Sequence, residues 1–202
     1  IKRMNNKAKK AICRKEDLGN EASVEQFFVD RLLKRLGWSD SQIKTKESIS
    51  ELSINLGRKK IPYKPDYALS YRRKVRFVID AKSTKENLDD WVGQCSSYCL
   101  LINQGYKDNP VQYFVITNGL KTMLYRWDSR NPVLTLSLSD MNKGSKAFDA
   151  FAEYLSPQSF NATHPAGLSS ETEEERIVLK QIGPSAVNKL FGSAHSYIYK
   201  HE

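Results

Sequence analysis

The stretch "PDYALSYRRKVRFVIDAKS" occupies residues 65–83. An Asp follows a Pro, apolar and β-branched residues alternate through a basic turn, and the stretch closes on Asp-Ala-Lys. Side chains along a strand point to alternate faces. Residues Val75, Phe77, Ile79 and Ala81 therefore take one face, and Arg76, Val78, Asp80 and Lys82 the other. The pattern predicts strands over 66–71 and 75–81, joined by a turn at 72–74. If they pair as a hairpin, Asp66 approaches Asp80 at one end of the sheet, with Lys82 one pleat away. Two carboxylates converging in a poorly solvated place repel each other unless a cation or the lysine neutralises them, and their hard oxygens suit magnesium. An ordinary Asp–Lys ion pair at a strand end, worth ~0–1 kcal/mol, fits the same spacing. Spacing alone leaves both readings open.

Upstream, Asn20 offers a helix N-cap. Val24, Phe28, Leu32 and Leu36 recur at helical spacing, Phe27, Val29 and Leu33 widen the stripe, and Gly37 ends it. Glu21 and Glu25 both fall inside this apolar stripe. An acid facing a core needs a partner. Glu21 can lean toward the sheet end, or it can simply answer the helix dipole. Glu25 competes for the same role, because the register of the helix is not fixed. Residues 40–63 are ragged, with strand-like pieces at 43–49 and 52–56 and a basic turn, "GRKK", at 57–60.

Downstream, Ser83-x-x-Glu86 reads as a capping box, which predicts a helix over 84–102 that ends near Gly105. Gln94 and Tyr98 stand four apart, in line with Trp91 and Ile102, and put polar tips on an inward face. Core packing and backbone capping would use the same two residues. Cys95 and Cys99 share a helical face as small core residues. Strands follow at 111–117, 121–127 and 133–138. The "TNG" at 117–119 makes the first two a hairpin, and a short helix spans 145–155.

The 202 residues suffice for one domain with a core and a short appendage. Residues 1–15 form a basic arm, with seven Lys/Arg and no acid across 2–15. The folded domain is expected over 16–155. A linker, "SPQSFNATHPAGLSSETEEE" (156–175), then opens a helical tail that runs to 202. A net charge of +9 favours a polyanionic partner, nucleic acid ahead of a membrane surface. The turn residues Arg58, Lys59, Lys60, Arg72, Arg73 and Lys74 are candidate phosphate contacts. Three Cys, an odd and sparse set, point to a reducing, cytoplasmic setting. His164, His195 and His201 lack zinc-ligand spacing. The sequence contains no apolar run of membrane-spanning length, no secretory core and no ATP-binding P-loop.

Pro65-Asp66, Asp80-Ala81-Lys82 and Gln94-Cys95-Ser96-Ser97-Tyr98, in that order, resemble the motif set of the PD-(D/E)xK nuclease superfamily. "NEASVEQFFVDRLLKRLGW" (20–38) and "YFVITNGLKTMLYRW" (113–127) are similar to the opening helix and late hairpin of one branch. That branch is the N-terminal nuclease domain of type I restriction endonuclease motor subunits and related restriction enzymes. The likeness covers roughly residues 16–155. Asp80 stands where many members carry Glu, a departure that shortens the arm by one methylene.

The resemblance implies an α/β, restriction-endonuclease-like fold with a central mixed β-sheet flanked by α-helices. It implies that Asp66, Asp80 and the Ala81 carbonyl ligate Mg2+, for which Mn2+ can substitute. Lys82 would orient or help deprotonate the attacking water and steady the transition state. Glu21, with Glu25 as its competitor, would be the extra helix acid. Gln94 and Tyr98 would order the site and touch the DNA backbone. The implied function is a Mg-dependent endonuclease, the cleavage module of a restriction–modification system. Motor, methyltransferase and specificity modules would lie on other segments or subunits. The rival expectations are a non-cutting DNA-binding module of the same fold and a stand-alone repair or recombination nuclease.

Overall fold

The computed structural model describes residues 11–46, 53–56, 59–62, 64–142 and 144–160, with backbone alone for 53–56 and 59–62. Asn20 opens the first helical run. Its Oδ1 accepts from the Ser23 backbone N–H, and Ser23 Oγ accepts from the Asn20 N–H, both at 2.9 Å. These two bonds close an N-terminal box. The run comprises α1 (Glu21–Val24), a π-helical turn (Glu25–Val29) and α2 (Asp30–Leu36). It stops where Gly37 takes φ +93°. The Trp38 N–H then reaches back to the Leu33 carbonyl and the Gly37 N–H to that of Lys34. This C-cap needs a left-handed residue, which glycine supplies without steric cost.

Six strands form one mixed sheet in the order β1 (Ile43–Thr45), β4 (Tyr67–Tyr71), β5 (Lys74–Ala81), β6 (Tyr113–Thr117), β7 (Lys121–Arg126), β8 (Pro132–Ser137). β2 (Ser53–Leu56) and β3 (Lys59–Pro62) make a separate antiparallel pair. Within the six, only β5 and β6 run parallel; the other neighbours are antiparallel. A parallel pair cannot be closed by a tight turn, so the chain must cross over between its strands. The crossover carries α3 (Val92–Gln104). With α4 (Lys146–Leu155), this gives the expected α/β architecture of a central mixed sheet flanked by helices.

Alternation along β5 separates the two layers. Phe77, Ile79 and Ala81 pack with Val24, Phe28, Leu32, Leu36, Phe148 and Phe151 in one core cluster. Val78 and Asp80 face the other layer, where α3 buries Cys95, Tyr98, Cys99 and Ile102. Register fixes the site end: Tyr67 pairs with Ile79, so Asp66 stands opposite Asp80.

The chain departs from its sequence reading in several places. The strand expected over 43–49 stops at Thr45. Lys59 and Lys60 lie in β3 and so outside the expected basic turn, while Arg58 falls outside the described residues. Ser83 and Glu86 form a backbone turn (Glu86 N–H to Ser83 C=O, 3.1 Å), and the helix starts at Val92, after a 3-10 turn at Leu88–Trp91. Tertiary anchors override the local capping box. Leu88 is buried, and Asp89 accepts a hydrogen bond from the Tyr125 hydroxyl at 3.3 Å.

The chain divides into compact units Ile1–Asn161 and Ala162–Glu202. Most of the expected tail, like residues 1–10 of the expected arm, lies outside the described residues. Ile12 and Cys13, also assigned to the arm, are buried, and Arg31 Nη1 donates to the Ile12 carbonyl at 3.0 Å. The described fold therefore begins before residue 16. It also continues past 155, because Pro157 is buried and Phe160 packs on Trp38 and Phe77. All three Cys are free and buried. No helix among the described residues is long and apolar enough to cross a membrane.

Candidate active site

The site forms where β5 leaves the sheet for its crossover. Asp66 precedes β4, and its Oδ2 accepts the Ala81 N–H at 2.7 Å. The N–H and C=O of one strand residue point to the same edge, so the Ala81 carbonyl also turns toward Asp66. The Lys82 N–H points the opposite way, to the Thr117 carbonyl of β6 at 2.8 Å. Backbone pairing on both sides thus fixes the Asp80-Ala81-Lys82 tripeptide.

Asp80 and Lys82, one pleat apart, form an ion pair with Nζ–Oδ2 2.6 Å, and their residues are only 2% and 8% exposed. This is a buried pair, unlike the exposed strand-end pair that the spacing also allowed. The Lys82 ammonium also lies 4.0 Å from the centroid of the Trp91 ring.

Glu21 and Glu25 come from the opposite layer and meet Asp66 at the sheet end. One carboxylate oxygen from each of the three lies within 4.8 Å of the others. The helix thus supplies both competing acids. Lys46 Nζ lies 2.9 Å from Glu25 Oε1, and the Lys46 backbone N–H donates to the Asp66 carbonyl at 2.9 Å. On α3, Gln94 Nε2 donates to the Tyr98 hydroxyl at 2.5 Å. The structure therefore brings together Asp66, Asp80, Ala81, Lys82, Glu21 and Glu25, and it pairs Gln94 with Tyr98 on the helix that covers Asp80.

The electrostatics follow from burial. Asp66 is pushed up to about 6, first by desolvation, then by the Asp80 charge, with the Ala81 N–H pulling the other way. Burial also raises Asp80, against the opposing pull of Lys82 and of the Cys95 thiol. Burial alone would lower Lys82, but Asp80, Asp66 and Glu21 outweigh it, and its affinity for a proton rises. Lys82 is therefore an ammonium at neutral pH. The Tyr98 hydroxyl is raised, chiefly by burial.

Glu21, Glu25 and Asp66 offer hard oxygens that lie within 4.8 Å of one another, a donor set that suits a divalent cation; Asp80 stands outside that trio, paired with Lys82. The basic turn does not reach the site. Six residue steps separate Lys74 from Asp80, roughly 20 Å along a strand. Lys74 is itself paired with Asp108 at 2.8 Å. The expected turn contacts at Arg72, Arg73 and Lys74 thus lie far from Asp66, Asp80 and Lys82.

Three neighbours were not singled out from the sequence. Trp91 and Cys95 carried a signal, since their spacing with Tyr98, four and then three residues, marks one helical face turned to the end of β5. Lys46 carried none, because its contact joins a ragged segment to a distant helix.

No family model matches the chain, and no curated protein matches it. Among solved structures, a cryo-EM DrdV–DNA complex aligns with a TM-score of 0.43 and 18% identity, over 70% of this chain and 12% of that chain. An alignment at that level defines neither the family nor the activity of this chain.

Proposed function

We propose that this domain is a Mg-dependent endonuclease that hydrolyses DNA phosphodiester bonds, acting as the cleavage module of a restriction–modification system. The observation that carries the reading is the junction at Asp66. One carboxylate is bonded to the Ala81 N–H, stands beside the buried Asp80–Lys82 pair, and faces the helix acids Glu21 and Glu25. Phosphodiester hydrolysis needs a strong nucleophile near neutral pH and positive charge where negative charge develops. A bound divalent ion supplies an activated water and absorbs that developing charge.

The chain's own groups divide the remaining work. Asp66, Asp80 and the Ala81 carbonyl would hold the ion, with Glu21 and Glu25, whose oxygens lie within 4.8 Å of an Asp66 oxygen, beside them. Lys82, protonated at neutral pH, donates to the non-bridging oxygens of the phosphate and orients the incoming water. Gln94 and Tyr98, linked to each other, steady the DNA backbone beside the cut. The net charge of +9 supports phosphate affinity without choice of sequence. The restriction role rests on the motif order, which resembles that of type I motor subunits.

Plasmid nicking with magnesium tests the reading. Asparagine keeps the volume and one acceptor oxygen where alanine would leave a cavity, so isosteric Asp80→Asn and Asp66→Asn are the better variants. Each is expected to lower the nicking rate by at least ~100-fold while DNA binding in a gel-shift assay persists. Equal cutting by wild type and both variants would overturn the assignment. Retained binding with no cutting by any form would make the domain a DNA-binding module.

A further inference from the structure

We infer that Trp91 is a positioning residue, whose indole face clamps the Lys82 ammonium against Asp80 and fixes the direction in which that ammonium meets the scissile phosphate. The catalytic half of this inference rests on the nuclease reading; the clamp itself does not.

A lysine side chain has four rotatable bonds and a compact charge with no directional fork. The ion pair to Asp80 at 2.6 Å sets how far Nζ can stray but leaves its direction open. The second contact, 4.0 Å to the Trp91 centroid, closes that freedom. Held by a carboxylate and by a π face, a residue only 8% exposed has little room left to sweep. Cation–π attraction strengthens as water is removed, and tryptophan gives the strongest face among the aromatic side chains.

Trp91 is itself held. It closes the 3-10 turn Leu88–Trp91, which Asn87 caps through the Asp89 N–H and buried Leu88 anchors. Asp89 is tied to the Tyr125 hydroxyl of β7. These anchors also delay the start of α3 to Val92. The delay leaves Trp91 just ahead of the helix, where its ring can lie against the side chain that leaves β5.

The indole carries a cost that its packing does not explain. Trp91 Nε1 is buried with no hydrogen-bond partner among the described residues, and an unsatisfied buried donor is unfavourable. Leucine would avoid that cost but offers no π face, and phenylalanine offers a weaker one; the stronger face is what an indole adds.

Progressive fluorination of the ring separates clamp from filler, because it drains the π face with little change in size. Mono- to tetrafluorotryptophan at position 91 of the full chain is expected to lower kcat for magnesium-dependent plasmid nicking stepwise, about tenfold across the series, with KM within about twofold. The same series at Trp38, whose ring meets Phe77 at 5.4 Å away from the site, should leave kcat unchanged. A flat kcat at position 91 would overturn the positioning role.

Side-chain NMR of the metal-free protein reads the clamp without activity. The Lys82 ε-protons should show an upfield ring-current shift that Trp91→Leu abolishes and Trp91→Phe partly restores. Absence of that shift in the wild type would overturn the clamp. If the wild type does not cut DNA at all, the nuclease reading fails and takes the catalytic half with it, while the shift still decides the clamp.

Discussion

Asp66 concentrates the chemistry of the site in one side chain, and its titration has a definite sign. Its folded-state value of about 6 lies above the 3.8 of an unperturbed carboxyl. The folded state therefore binds a proton more tightly than the unfolded state, and stability falls as pH rises from about 4 to about 6. Above that window the whole cost of the buried charge is present. Asp66→Asn keeps an acceptor for the Ala81 N–H but removes the charge. The metal-free variant should be more stable than wild type at pH 8, by about 1–2 kcal/mol after allowing for the solvent that reaches the group, and equal to it near pH 3.5. Thermal melts at the two pH values check this, and an equal or lower melting temperature at pH 8 would contradict it. Magnesium must compete with that proton, so ion binding by calorimetry should tighten between pH 5 and 7. Much of this was legible in the sequence. Period two placed Asp80 and Lys82 together, and hairpin pairing placed Asp66 opposite. The choice between Glu21 and Glu25 was not legible, because it depends on where the helix passes the sheet end, and both carboxylates lie within 4.8 Å of an Asp66 oxygen.

Among the elements, the β4–β5 hairpin is the one most completely written in the sequence and the one that carries visible strain. Tyr71 pairs with Lys74, leaving a two-residue loop. Arg72 and Arg73 take φ +51° and +64°. Two left-handed positions in a row match the twist of a hairpin, but Asn-Gly is what such a loop favours. Each non-glycine residue there costs ~1–2 kcal/mol. Arg72→Asn with Arg73→Gly should therefore raise stability by about 1 kcal/mol, after the lost contact of Arg72 with the Tyr71 ring and the flexibility of glycine are set against it. A rise in the urea midpoint at constant m-value would show it. The nicking rate should stay the same, since the turn lies roughly 20 Å from Asp80. The α3 crossover was less legible. Ser83 and Glu86 carry a good local cap signal, yet Leu88 and Asp89 are held by partners distant in sequence. A window of ten residues contains no trace of those partners.

At the scale of the whole molecule, the site depends on a segment that composition assigned to a basic arm. Ile12 and Cys13 are buried in the same cluster as Val24, Phe77 and Phe148. Two apolar residues among seven basic ones are easily averaged away, which is why the boundary was misplaced. The segment continues into Leu18, which presses on the turn after β6. A Cβ added at Gly119, where φ is +79°, would meet Leu18 Cδ1 at 2.7 Å. That turn is further tied by Asn118 Oδ1, which accepts from the Leu120 and Lys121 N–H groups. It follows directly on Thr117, whose carbonyl receives the Lys82 N–H. Two contacts, Leu18 on Gly119 and the Thr117 carbonyl on the Lys82 N–H, thus join the N-terminal segment to Lys82. A chain beginning at Arg14 should be less stable than one beginning at Ala11 by ~2–4 kcal/mol, the cost of withdrawing Ile12 and Cys13 from a packed core. Urea unfolding of the two chains measures the difference. The loss should fall on the site as well. If Leu18 and Gly119 register the β6 turn through this packing, the shorter chain should bind DNA as before but nick it more slowly, even at temperatures where it is fully folded. Equal nicking by the two folded chains would show that Leu18 keeps its place on Gly119 without Ile12 and Cys13.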